Sequence, residues 1–157
     1  MKISKLTKKD IKGVISVASE SFSGLKEKAR AKKWIEGNFK CYPRMQYFTA
    51  KENGKVLGYI LWLEKGGFRR EAVWELEQIA LTDKMRGRGI GTELILKTLP
   101  EIKKYLKKRG SVLKAIEVTT GTENKAQKLY NKTLKAEVEC VVHDLFRGDE
   151  VIMIARF

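Results

Sequence analysis

No run of apolar residues in this 157-residue chain approaches the roughly 18 that a membrane-crossing helix needs, so no membrane association is expected. Cysteine is scarce: Cys41 and Cys140 lie far apart and form no C-x-x-C pair. That excludes a disulfide framework, and buried or free thiols in a reducing cytoplasm are expected. There is one histidine, His143. With no H-E-x-x-H and no Cys/His cluster, no metal is expected. A Ser-His-Asp or Cys-His site would have to use His143, and no nucleophile motif accompanies it, so it reads as an ordinary strand residue. The opening Met1-Lys2-Ile3-Ser4-Lys5 lacks the apolar centre of a secretory leader, which again points to the cytoplasm.

Acidic residues are also in deficit, 19 against 33 lysines and arginines, for a net charge of +14. Such a field attracts polyanions: nucleic acid, acidic protein surfaces or phosphorylated cofactors. Lysine and glutamate mixed along presumed helices also suit a solvated, heat-resistant surface. The run Lys103-Lys104 and Lys107-Lys108-Arg109, opposite Ile102, Tyr105 and Leu106, reads as such a solvated face. Hydrophobic residues make up 43% with no biased tract, enough for one folded domain over 1–157.

Lys2 to Leu6 alternates like a short strand, and Thr7-Lys8-Lys9-Asp10 resembles a capping box with aspartate in the glutamate position. Ile11, Val14, Ile15, Ala18 and Phe22 recur at helical spacing. After Gly24 a second helix runs to about Phe39, with Ala31, Trp34, Ile35 and Phe39 on one side, ended by Cys41-Tyr42-Pro43. Gln46 to Lys51 and Val56 to Glu64 are strands joined by the turn Glu52-Asn53-Gly54-Lys55. After the loop Lys65-Gly66-Gly67-Phe68, Val73 to Leu81 is a central strand. A helix from Ile90 to Lys108 follows, in which Pro100 is expected to cause a break or kink. Ser111 to Thr119 is a strand, and Glu123 to Thr133 a helix with Ala126, Leu129, Tyr130 and Thr133 inward. Ala136 to Leu145 and Glu150 to Phe157 are strands about Arg147-Gly148-Asp149. The order β-α-α-β-β-β-α-β-α-β-β is α+β, and the helical crossover makes the strands on either side of it parallel.

The most informative stretch is Arg86-Gly87-Arg88-Gly89-Ile90-Gly91, between a strand and a helix. Glycines admit positive φ and close backbone approach, and a helix N-terminus offers unpaired N–H groups and positive potential. The combination suits a phosphate-bearing ligand. It is not a dinucleotide fingerprint, because counting from Gly87 the third glycine falls at Thr92. It is not a P-loop, because the only Gly-Lys pair, Gly54-Lys55, has Thr49 where the first glycine belongs. Read as Arg86-x-x-Gly89-x-Gly91, it resembles the acetyl-CoA pyrophosphate loop of the GNAT superfamily of N-acetyltransferases. The segment Asn124-Lys125-Ala126-Gln127-Lys128-Leu129-Tyr130 resembles the second motif of that family. It departs from it in having Asn124 only two residues before Ala126, and Leu134-Lys135 where Gly-Phe often follows. The element order matches over essentially the whole chain.

The resemblance implies a GNAT-like mixed, mostly antiparallel central sheet flanked by helices. It also implies acetyl-CoA as cosubstrate and direct attack by a primary amine in a ternary complex. The pyrophosphate would be held by backbone N–H groups from Arg86 through Gly87, Arg88, Gly89, Ile90 and Gly91 to Thr92, with Asn124 and Tyr130 also near the cofactor. The pantetheine arm would pair with the backbone of Ile79, Ala80 and Leu81. Tyr130 would protonate the leaving thiolate. The base candidates are Glu75 and Glu77, on one face of the central strand by its period of two. Carboxylates on such a partly apolar face are expensive unless used or paired, and burial with mutual repulsion raises a pKa toward neutrality. Glu75, four residues before Ile79, resembles the histone-acetyltransferase base and stands slightly ahead. A structural ion pair with lysine is the competing reading, and Glu117 on the neighbouring strand is a third candidate. Trp34, Trp62 and Trp74 read as core or pocket wall.

The acceptor is expected to be a protein lysine, a protein N-terminus or a small amine, and a homodimer is one assembly open to the fold. Two other readings stand beside this: a basic nucleic-acid- or ribosome-associated module, and a non-catalytic CoA-binding sensor on the same fold.

Overall fold

Alternation, helical periodicity and turn residues are realised in nearly the expected order in the computed structural model, which describes residues 1–157. The strands are β1 (Lys2–Lys5), β2 (Met45–Glu52), β3 (Lys55–Lys65), β4 (Glu71–Leu81), β5 (Val112–Gly121), β6 (Glu137–Val142) and β7 (Glu150–Arg156). The helices are α1 (Ile11–Ser21), α2 (Lys28–Lys40), α3 (Ile90–Lys108) and α4 (Gln127–Leu134). The strands are hydrogen-bonded in the order β1-β2-β3-β4-β5-β7-β6. This is the mixed, mostly antiparallel α+β sheet expected. No helix is long and apolar enough to cross a membrane.

Two compact units divide the chain, Met1–Trp62 with Gln78–Thr98, and Leu63–Glu77 with Leu99–Phe157; β3, β4 and α3 contribute to both. In the first unit β1 pairs antiparallel with β2, from Lys2↔Lys51 to Lys5↔Phe48. Asn53 and Gly54 both take positive φ, 50° and 76°, as the tight turn between right-twisted strands requires. The apolar faces of α1 and α2 (Val14, Val17, Ala18, Ala31 and Ile35) pack in one cluster with Tyr47, Tyr59, Leu61 and Ala80. Trp34 departs from the expected stripe: it is 46% exposed, while Asn38 is buried. The Thr7–Asp10 segment is not a capping box. The Thr7 hydroxyl donates to the Asp10 carboxylate at 2.8 Å, which pairs with Lys51, and no side chain caps the helix.

In the second unit β4 and β5 are parallel, from Glu71↔Val112 to Glu75↔Glu117, which confirms the crossover. β5 and β6 flank β7, both antiparallel to it. Trp74 is fully buried and meets Tyr105 edge-on at 6.0 Å. Arg109 corrects the solvated-face reading of its lysine run. Its guanidinium grips the Glu64 carboxylate, which is 1% exposed, with Nη1–Oε2 at 2.8 Å. Phe68 and Tyr105 flank it. β6 stops at Val142, so His143 lies beyond the strand, in a surface turn with Nδ1 2.8 Å from Asp149.

α3 runs unbroken through Pro100, against the expected break. Proline removes one N–H, but it does not end a helix whose apolar face is fully packed; Leu94, Ile95, Ile102 and Leu106 are all buried.

Candidate active site

In the first unit the strand-to-helix passage is built for close backbone approach. Gly58 on β3 faces the end of β4: a Cβ there would lie 2.2 Å from Leu81 Cδ2 and 2.8 Å from the Ala80 carbonyl oxygen. Ile79 and Leu81 are half-buried, whereas Ala80 is in the core. A 3-10 turn, Asp83–Met85, leads into the glycine loop. Gly87 and Gly89 have φ of 73° and 77° with open space where a Cβ would stand, so backbone conformation rather than crowding demands glycine there. The Glu93 N–H donates to Gly89 O at 3.0 Å. That bond makes Gly89 the last residue before the helix and leaves the N–H groups of Ile90, Gly91 and Thr92 without helical partners. Arg86 is an exception to the expected donor row. Its N–H donates to Asp83 O at 3.2 Å, and its guanidinium pairs with Asp83 at 3.1 Å. Arg88 is exposed.

In the second unit the carboxylates are organised by a residue that the sequence reading placed in a loop. Lys65, at the end of β3, puts Nζ 3.2 Å from Glu75 Oε2 and 2.8 Å from Glu117 Oε1. Burial works against the Lys65 charge, yet the bonds to Glu117 and Glu75 raise its pKa above the usual value. Glu75 and Glu117 sit directly opposite each other in the β4–β5 register, so one ammonium between them removes their repulsion. Glu77 lacks such a partner. Its carboxyl is pushed above the ordinary value, first by burial and then by the Glu75 charge, with Lys65 partly opposing.

Tyr130 is 6% exposed, on the inner face of α4. Burial raises its pKa to about 12, so the phenol stays protonated at neutral pH. α4 starts at Gln127, four residues later than the periodicity indicates. Asn124 builds the turn before it: Oδ1 accepts from the Ala126 N–H at 2.9 Å and Nδ2 donates to the Thr120 hydroxyl at 2.8 Å. Each end of that amide makes one local bond, so Asn124 forms the turn that precedes α4.

A family model described as "Acetyltransferase (GNAT) family" matches residues 12–135. The chain belongs to the GNAT acetyltransferase family. It is 30% identical over 153 residues to an uncharacterised N-acetyltransferase of Methanocaldococcus jannaschii, covering 92% of this chain and 64% of that protein. The chain thus spans just under two thirds of the length of that curated relative. A solved structure from Pyrococcus horikoshii is 27% identical with a TM-score of 0.72, covering 99% of this chain and 98% of the other. An aminoglycoside 6'-N-acetyltransferase solved with coenzyme A shares the fold at 15% identity, TM-score 0.71, with 99% and 97% coverage.

The GNAT chain's loop fits a pyrophosphate on its own chemistry. Left-handed Gly87 and Gly89, three unpaired N–H groups on a 19-residue helix and exposed Arg88 form a donor set for anionic oxygens. Lys65 is the carboxylate-pairing residue that sequence reading missed. Its one signal is its place directly before the Gly66-Gly67 pair, which says nothing of the carboxylates it meets.

Proposed function

We propose that this protein is an acetyl-CoA-dependent N-acetyltransferase acting on a primary amine by direct attack. Bound acetyl-CoA would supply the activated acyl group. The N–H groups of Ile90, Gly91 and Thr92, with the Gly87–Gly89 backbone, hold the pyrophosphate, and Ile79, Ala80 and Leu81 offer backbone to the pantetheine arm. Glu77 is the base: it takes a proton from the acceptor ammonium, so that the amine nitrogen can bond to the acyl carbon. The Tyr130 hydroxyl would protonate the thiolate that bound acetyl-CoA gives up, and would be restored by the second proton that the attacking nitrogen sheds on becoming an amide. Glu75 and Glu117 hold Lys65, and the Glu75 and Lys65 charges set the field at Glu77, so Glu75 and Glu117 act as positioning residues. The observation carrying this reading is the loop, with glycines at positive φ opening into unpaired helix N–H groups.

The test is calorimetric titration with acetyl-CoA of the parent and of a Gly89→Glu, Gly91→Glu variant. Micromolar binding by the parent and at least about tenfold weaker binding by the folded variant are expected. No binding by the parent would overturn the reading and put the basic nucleic-acid- or ribosome-associated module first. Parent binding with an unaffected variant would remove the loop from the cofactor site.

A further inference from the structure

The first unit holds a cavity of about 580 Å³ that nothing above uses, within the several-hundred-Å³ range of small-ligand sites. Its walls are apolar, from Phe22, Leu25 and the indole of Trp34. Trp34 is 46% exposed on the same helix whose Ala31 and Ile35 are fully buried. An indole left open over an apolar hollow is a ready contact for a flat or branched apolar group.

The charges around the hollow are of one sign. Arg30 and Lys33 line it, and no carboxylate does. Glu27 is the one acidic partner of Arg30, at 3.8 Å with both side chains about two-thirds exposed, a pair of little strength. The nearby Glu36 pairs with Lys32 instead, at 4.0 Å, and Lys33 has no ion pair. At the polar end, Asn38 donates to the Tyr47 hydroxyl at 3.3 Å and the Tyr59 hydroxyl donates to Gln78 Oε1 at 2.9 Å. The second bond fixes the Gln78 amide with its nitrogen turned away from Tyr59, both N–H groups free for an acceptor atom. Gln78 follows Glu77 directly in the chain.

We infer that this cavity selects the acceptor, and that the acceptor is a small zwitterionic amine carrying a bulky apolar group and a carboxylate, of the kind an apolar α-amino acid represents. The inference rests on the acetyltransferase reading and narrows its amine. Phe22, Leu25 and Trp34 take the apolar group, and Arg30 and Lys33 the carboxylate. Polyamines and lysine-like acceptors without an anionic group meet two cations, of which Lys33 has no ion pair and Arg30 only the exposed one to Glu27, and are disfavoured.

Trp62 and Trp74 are fully buried, so changes of tryptophan emission report on Trp34. The experiment titrates the protein with L-phenylalanine, with phenethylamine, which lacks only the carboxylate, and with L-alanine, which lacks the ring. Phenylalanine is expected to give a saturable shift and to bind at least about tenfold tighter than the other two. An Arg30→Glu, Lys33→Glu variant should weaken phenylalanine by about tenfold or more and leave phenethylamine no weaker. In thiol-release assays the same variant should raise the phenylalanine KM with little change in kcat, a split that a general loss of folding would not produce. No saturable response to phenylalanine, equal binding of phenylalanine and phenethylamine, or indifference to charge reversal would each overturn the inference. Loss of acetyl-CoA binding in calorimetry would overturn the acetyltransferase reading instead, while the optical titration still judges the cavity.

Discussion

At the scale of single residues, Lys65 pairs with Glu75 and Glu117, whereas Glu77 has no ion pair and its pKa is raised by burial and by the Glu75 charge. Glu77→Gln should lower kcat/KM by about 10²- to 10⁴-fold, and the acid limb of the pH–rate profile should lie above the ordinary glutamate value of 4.5. Glu75→Gln should do less harm and should shift that limb downward, because it removes a charge that raises the Glu77 pKa. The same shift has a stability consequence. A carboxyl whose folded-state pKa exceeds its unfolded value favours the fold below the unfolded pKa, and that contribution is lost as pH rises through the folded one. Melting temperatures of Glu77→Gln should therefore exceed the parent's at neutral pH and match it near pH 4. Tyr130→Phe should keep acetyl-CoA affinity in calorimetry yet lose about 10²-fold or more in kcat, since only the proton donor is gone. An unchanged kcat would favour the non-catalytic sensor. Arg109 has a purely structural task. Arg109→Ala takes the guanidinium away from the nearly inaccessible Glu64 carboxylate and should cost about 3–5 kcal/mol in denaturant unfolding.

At the scale of elements, periodicity made most strands and helices legible because each is half-buried and repeats apolar residues every 2 or 3.6 positions. The start of α4 was not. Glu123 to Ala126 carries helix-compatible residues, but Asn124 bonds the Ala126 N–H and holds a turn, a local competition that periodicity does not register. Pro100 does not break α3, because packing on both sides of it outweighs one missing hydrogen bond. β3 and the end of β4 approach closely at a residue that sequence reading left unremarked. Gly58→Ala should destabilise by about 1–3 kcal/mol, because its methyl group meets backbone at Ala80 as well as the flexible Leu81 side chain. Equilibrium unfolding of that variant checks the close approach, and an unaffected stability would refute it.

At the scale of the whole molecule, the +14 charge sets how anionic ligands arrive. Association with acetyl-CoA should slow as salt is raised from 20 to about 500 mM, because screening shortens the reach of the positive field. Stopped-flow on-rates should fall more steeply than affinity for an uncharged acceptor analogue. A steep log–log salt dependence of binding to a DNA or RNA duplex would instead support the basic-module reading.

What the sequence determined alone was whatever depends on near neighbours: the order of elements, the Asn53-Gly54 turn, and the glycine loop between strand and helix. Backbone conformation and local periodicity act over a few residues, so they can be read along the chain. Tertiary structure decided which charges meet. Lys65, Glu75 and Glu117 come from three different strands, and Arg109 reaches back to Glu64. With 33 basic residues available, pairing depends on which side chain the sheet and helices bring within hydrogen-bond reach, and therefore so does which carboxylate stays outside the ion pairs. The open face of Trp34 was settled in the same way: helical spacing marks the stripe that α2 can bury, but only the packed neighbours decide which of its residues stays uncovered.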